Sequence, residues 1–203
     1  SLSWERLSGI TIGYSLASPH LPRITHQHRA GAQTAVRKMV DLGYRRLALM
    51  LPYEYDERVS HAWSAGFYGE CKLLGLEEEC LTYMPRNHPR AWTDDCLDWL
   101  ENHHPEAILT PLQHFHEFLV SHEIEVPHHM GLVMLDLPSM EIPLTGIYQN
   151  SFIIGREAVN MVSSCYINHI RGLLDYQHIH VIKGQWNQGS STRPLSEHPA
   201  RSS

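Results

Sequence analysis

Apolar positions along the chain fall into two alternating kinds. Some form short uninterrupted runs; others recur every three or four residues over longer stretches. Residues 28–42 are of the second kind: Ala32, Ala35, Val36, Met39 and Val40 share one helical face, and Gly43 stands where a helix stop is expected. Helices are also predicted over 57–75, 92–102 and 112–122. The short runs predict strands at 10–15, 46–51, 107–110 and 131–135, the last three with the continuous apolarity of buried parallel strands. Roughly 25 to 35 residues separate successive strands, the length a βαβ crossover needs. The longest helix is predicted from Ser151 to near Gly172, with Asn150 as N-cap and Ile154, Ala158, Met161, Val162, Cys165 and His169 on one face. Strands at 178–182 and 184–188 follow, then a polar tail expected to lack order. The rhythm implies an α/β fold: a mostly parallel sheet covered by helices.

Composition narrows the function classes. With 203 residues, 42% hydrophobic and 19% charged, the chain suits one globular domain or two small lobes. No apolar run reaches the about 18 residues of a membrane span, and Ser1-Leu2-Ser3-Trp4-Glu5-Arg6 does not read as a signal peptide. The formal net charge is -6 and the only lysines are Lys38, Lys72 and Lys183, with no basic stripe. Phosphate neutralisation supplies most nucleic-acid affinity, so DNA binding is not expected of these residues. The four cysteines, at 71, 80, 96 and 165, show no CxxC spacing. Two disulfides in a secreted protein would fit the count; four reduced thiols are the expectation, because a core this large needs no covalent staples.

Several segments, in order, carry a resemblance. They are Arg37-Lys38-Met39-Val40-Asp41-Leu42-Gly43-Tyr44-Arg45-Arg46-Leu47-Ala48-Leu49, Trp63-Ser64-Ala65-Gly66-Phe67, Pro105-Glu106-Ala107-Ile108-Leu109, Ile124-Glu125-Val126-Pro127 with the following strand and Asp136, Pro143-Leu144-Thr145-Gly146-Ile147-Tyr148-Gln149-Asn150, and Gly189-Ser190-Ser191-Thr192-Arg193. Together they resemble the effector-binding part of LacI-type (lac-repressor-like) transcription regulators. The resemblance implies a periplasmic-binding-protein-like fold: two Rossmann-like lobes with mostly parallel sheets, three crossovers and a ligand in the cleft. It also implies that the first lobe is incomplete here, and that a helix-turn-helix headpiece contacting operator DNA precedes Ser1 in a longer parent. On that mapping, 1–24 is a remnant of the first lobe with a crossover, 25–144 the second lobe, 145–180 a crossover and first-lobe helix, 181–193 the last strand, and 194–203 a disordered tail. The face of the 151–172 helix would then lack its native cover. A sugar-like effector, a homodimer and a cytoplasmic location are implied; a membrane partner is not.

Ligands of doubly wound folds sit at the carboxyl ends of strands. Asp136 follows the 131–135 strand and matches the family's acidic residue for sugar hydroxyls; a turn or cap role is the alternative. Trp63 stands where the family often has an arginine. An indole stacks on a sugar's C–H face but lacks the guanidinium's fork of donors, and core packing accounts for it equally well. Arg58 is a candidate for the lost charge, or a solvated surface residue. Leu112 replaces a frequent asparagine donor, with Gln113 as a partial substitute. Gln149 matches a position near the cleft floor or serves the hinge, and Tyr14 ends the first strand at the same mouth.

Sixteen histidines are many. Three pairs, His26/His28, His114/His116 and His178/His180, have the i, i+2 spacing that puts both rings on one face of a strand. No cysteine or carboxylate accompanies them at ligand spacing, so no metal and no cofactor is expected. No G-x-S-x-G, P-loop or G-x-G-x-x-G is present, and an enzyme is not expected. Three functions stay open: allosteric regulator, periplasmic solute-binding protein, and ligand-less dimerisation module.

Overall fold

The computed structural model describes residues 3–16, 18, 20–86 and 92–195. The chain divides into two compact units. The smaller contains residues up to 27 and 149–184; the larger contains 28–148 and 185 onward.

The larger unit is a six-stranded sheet in the order β4-β3-β5-β6-β7-β9. Its strands are β3 (Leu47–Met50), β4 (Cys80–Tyr83), β5 (Ala107–Thr110), β6 (Gly131–Leu137), β7 (Thr145–Tyr148) and β9 (Gln185–Asn187). All pair in parallel except β7 with β9. Every residue of β3 and β5 is buried, as the uninterrupted apolar runs require of strands covered on both faces. One core cluster joins Ala48, Met50, Ile108, Leu132 and Met134 of the sheet to Cys96, Leu100, Phe115 and Leu119 of helices α4 (Asp94–His103) and α5 (His114–Ser121).

Helix α1 (His28–Asp41) buries Ala32, Ala35, Val36 and Met39. It ends as its sequence predicts. Gly43 has φ +97, its N–H donates to the carbonyl of Val40, and the N–H of Tyr44 donates to Met39. That pair of bonds is the Schellman closure that favours glycine. The predicted 57–75 helix is two helices, α2 (Tyr53–Arg58) and α3 (Ala62–Leu73). The break has a cause: Ser60 and His61 are in the left-handed region, and the fully buried Asp56 turns back to the new helix start. Its Oδ1 accepts from the backbone N–H groups of Trp63 (3.2 Å) and Ser64 (3.3 Å). Gly66 lets α3 lie against α1, since a Cβ there would fall 2.4 Å from the carbonyl oxygen of Arg29.

The expectation of four free thiols fails at one pair. Cys71, at the end of α3, and Cys80, at the start of β4, are joined by a disulfide. The short α3-to-β4 connection brings their Cα atoms to 6.6 Å, a proximity that no CxxC spacing announced. Cys96 and Cys165 are free. Three strands also escaped sequence reading: β4, β7, and β2 (Arg23–His26) of the smaller unit. None is a long apolar run. β4 and β7 instead draw on register with neighbours already in the sheet. The segment 189–193 is not itself a strand. It docks on two of them: Ser191 Oγ accepts from the Thr145 N–H (2.8 Å) and donates to the Leu132 carbonyl (2.7 Å). Tail residue Leu195 is held too, its N–H donating to Leu42. Residues 196–203 of the predicted tail lie outside the described residues.

The smaller unit is a parallel three-stranded sheet, β1 (Thr11–Ile12), β2 and β8 (Ile179–Ile182), with helix α6 (Ser151–Ile167) on one face. Ile154 and Ala158 of α6 meet Ile24, with Ile10, Met161 and Ile182 around them. α6 is shorter than predicted. His169 takes φ +56, and the N–H groups of His169 and Ile170 donate to Tyr166 and Cys165, closing the helix before Gly172. Asn150 does not cap with its side chain; its amide donates to the Lys183 carbonyl at 2.9 Å. Phe152, Val159, Tyr166 and Ile167 of α6 are exposed, so part of its apolar surface is uncovered.

Candidate functional site

In a parallel sheet each strand delivers its next loop and helix start to the carboxyl edge. In the larger unit that edge collects Tyr53, Asp56, Arg58 and Trp63 after β3, and Arg86 and Trp92 after β4. Leu112 and Gln113 arrive after β5, and Asp136 near the end of β6. The sequence placed Asp136 just past its strand. The strand is longer, and Asp136 is its sixth residue, half-buried between Leu135 and Leu137, which are buried.

Burial raises the pKa of the Asp136 carboxyl above the usual carboxylate range. No hydrogen bond or ion pair from a described residue reaches that carboxylate. A desolvated carboxylate whose acceptor capacity is unspent is suited to the hydroxyls of a neutral ligand.

The same edge carries several aromatic side chains. Trp92 is buried, packs edge-on against Phe115 (centroids 4.6 Å) and lies 6.2 Å from Tyr83. The sequence reading took Trp92 into the predicted 92–102 helix and did not single it out; the helix starts at Asp94, and an aromatic directly before Thr93 and the acidic start of α4 was the available signal. Trp63 is only 6% exposed, and its ring meets His28 edge-on at 4.7 Å. It is thus a packed residue at the helix start, held there by Asp56. Arg58 is exposed, its guanidinium 5.2 Å from the Tyr55 ring centre. Arg86, which sequence reasoning did not single out, stacks on Tyr53 at 3.6 Å. Gln113 is exposed and immediately precedes α5, while Leu112 is buried in the core.

Tyr14 and Gln149 belong to the smaller unit. The Tyr14 ring lies under the Arg23 guanidinium at 4.5 Å, and Arg23 donates to the carbonyls of Gly13 and Leu16. Tyr14 is therefore tied into the loop after β1. Gln149 is buried.

His61 Nδ1 lies 3.4 Å from Asp56 Oδ2, yet the nearby Ser64 hydroxyl donates to the His61 backbone carbonyl rather than to its ring. Among the described residues no group of three or more His, Cys, Asp or Glu is placed to hold a metal ion. His114 and His116 lie on α5, where an i, i+2 pair does not share a face. Among the described residues no helix is long and apolar enough to cross a membrane.

The sequence profile of the periplasmic binding protein-like domain matches residues 36–192. The chain belongs to that family. The periplasmic binding protein-like fold also matches solved structures. A LacI family transcriptional regulator from Enterococcus faecium with bound ribose aligns at TM-score 0.73 and 15% identity, over 92% of this chain and 71% of its own. The transcription regulator CcpA of Lactococcus lactis aligns at TM-score 0.68 and 13% identity, over 91% and 69%. A periplasmic binding protein/LacI transcriptional regulator from Alkaliphilus metalliredigens, complexed with D-xylulofuranose, aligns at 0.66 and 14%, over 85% and 66%. At such identities the shared property is the fold. No curated protein matches the chain in sequence.

Proposed function

We propose that the chain is the effector-sensing part of a LacI-type transcription regulator. It binds a sugar-like small molecule at the carboxyl edge of the larger sheet and biases an N-terminal DNA-binding headpiece in a cytoplasmic parent protein. The observation that carries this reading is Asp136, a half-buried carboxylate with no partner among the described residues, at an edge that also carries Trp92 and the Arg58–Tyr55 pair. Sugars are recognised by that combination, with acceptors for hydroxyls and apolar surface for C–H faces. Ribose and D-xylulofuranose in matching folds support the ligand class. Regulation requires the effector to bind two conformations of the parent with different affinity.

A homodimer is part of the proposal. Its support is a second stripe on α6, in which Phe152, Val159 and Tyr166 recur every seven residues and are 77%, 62% and 69% exposed.

The test is calorimetry and thermal shift with ribose, xylulose and cellobiose. Saturable stabilisation is expected, as is its loss by at least about ten-fold in affinity on Asp136→Ala. Absence of saturable stabilisation by any sugar at millimolar concentration would favour a ligand-less dimerisation module. A second reading, a periplasmic solute-binding protein, is favoured by the Cys71–Cys80 bond, because disulfides persist in oxidising compartments. A signal peptide in place of a helix-turn-helix in the parent gene would decide for it.

A further inference from the structure

We propose that Cys71 and Cys80 form a redox clasp that controls the order of β4, and through it the part of the carboxyl edge that carries Arg86 and Trp92. The proposal is independent of ligand identity. β4 is an edge strand of the larger sheet, pairs among the described residues only with β3, and has all four of its residues half-buried. The neighbouring strands β3 and β5 are buried throughout. Among the described residues β4 is tied to the unit, besides its ladder, by Tyr68 to Thr82 (2.9 Å), by the packing of Leu81 and Tyr83 on the core, and by the disulfide to α3, while Arg46 to Glu79 (3.0 Å) holds the turn just before it. The Arg46–Glu79 pair is solvent-exposed and adds little. The disulfide is therefore the covalent tether of the least buried strand of this sheet's parallel core, beside the packing of Leu81 and Tyr83.

The carboxyl end of β4 feeds the candidate site. The N–H groups of Leu51 and Tyr53 donate to the carbonyls of Tyr83 and Pro85, and Arg86 stacks on Tyr53. Loss of order in β4 loosens these contacts while β5 and β6, with Asp136, stay in place.

The exchange chemistry is asymmetric. Cys71 is 1% exposed and Cys80 half-buried, so an incoming thiolate reaches the Cys80 sulfur first. Its S–S bond to Cys80 forms as the Cys71–Cys80 bond breaks, and Cys71 leaves as a thiolate that takes up a proton. The second thiol of a dithiol reductant then displaces Cys80, which is protonated in turn. Two electrons and two protons pass to the protein, and the reductant becomes its own disulfide.

The experiment compares the full chain after equilibration with oxidised glutathione and after dithiothreitol, by peptide mapping and amide hydrogen exchange. The expected result is a Cys71–Cys80 cross-linked peptide in the oxidised sample, with Cys96 and Cys165 still alkylatable on denaturation. On reduction, exchange at residues 80–83 is expected to be at least about ten-fold faster while 107–110 and 131–135 are unchanged. Cys80→Ser should reproduce the reduced pattern under oxidant; the wild-type comparison stands alone if that variant fails to fold. Absence of the cross-link, a cross-link through Cys165, or exchange at 80–83 within about two-fold in the two states overturns the proposal.

Discussion

The two units are built from the same parts to different degrees of completion. In the larger, β3 and β5 are buried at every residue and helices supply apolar faces to the sheet. In the smaller, β8 is exposed at three of its four residues, with Ile179 and Val181 at 45% and 50%, although parallel sheets are ordinarily covered on both faces. One helix, α6, covers one face of the smaller sheet, around Ile24. The difference teaches that parallel strands do not by themselves make a closed core; the number of covering layers does. The larger unit holds its own hydrophobic core, and the smaller leaves apolar surface for something else to bury.

That contrast is open to direct attack. Phe115→Ala, in the larger core, is expected to cost about 3–5 kcal/mol in denaturant unfolding. Val181→Ala, on the open face of β8, is expected to stay within about 0.5 kcal/mol. A large loss at Val181 would mean that its face is covered in solution, and comparable losses at both sites would erase the distinction.

Titration separates the units next. Burial lowers the His26 imidazole in the smaller unit to about 4 from 6.5. Between those values the unfolded chain binds the extra proton, so stability present above pH 6.5 is lost as pH falls toward 4. The loss amounts to about 3 kcal/mol at full extent. Asp136 in the larger unit is shifted upward, so its folded form binds the proton first and its own contribution grows as pH falls. Hydrogen exchange from pH 7 to pH 5 should therefore show β2 opening sooner than β6, with His26→Gln flattening the β2 response. Equal pH slopes in the two strands would refute the assignment.

Gly66→Ala tests how tightly the larger unit's helices close. A methyl there meets the Arg29 carbonyl, and a cost of about 1–3 kcal/mol in thermal unfolding is expected. A neutral result would show that α1 and α3 part without strain. The smallest effect has the opposite sign. Asp136→Asn removes a desolvated charge and should raise the melting temperature of the ligand-free chain by about 2–4 °C, equivalent to roughly 1 kcal/mol. A lowered melting temperature would mark Asp136 as structural rather than reserved for a ligand.

Legibility in the sequence followed the strength of local signals. Strands β3, β5 and β6 were evident because buried parallel strands are uninterrupted apolar runs, and α1 because its buried positions and its Gly43 stop agree. The α2–α3 break was hidden, since the apolar spacing continues across it and only the buried Asp56 and two left-handed residues interrupt the helix. Asp136 was placed by its position after an apolar strand. Trp63 was offered as a stacking surface or as core packing, and its packing against His28 is a contact between two helix starts distant in sequence. Arg86 and Trp92 carried no motif and gained their setting from β4, itself an unmarked strand.

The chain's alternation of apolar runs and helical faces was enough to determine an α/β parallel fold, because burial period and secondary-structure period are the same information. Its ordered motifs were enough to indicate a binding-protein architecture. What only the tertiary structure decided were long-range pairings: Cys71 with Cys80, Asp56 with the start of α3, Ser191 between β6 and β7, and the bare face of β8. Each depends on which elements become neighbours, and neighbours are chosen by the packing of the whole sheet rather than by any local run of residues.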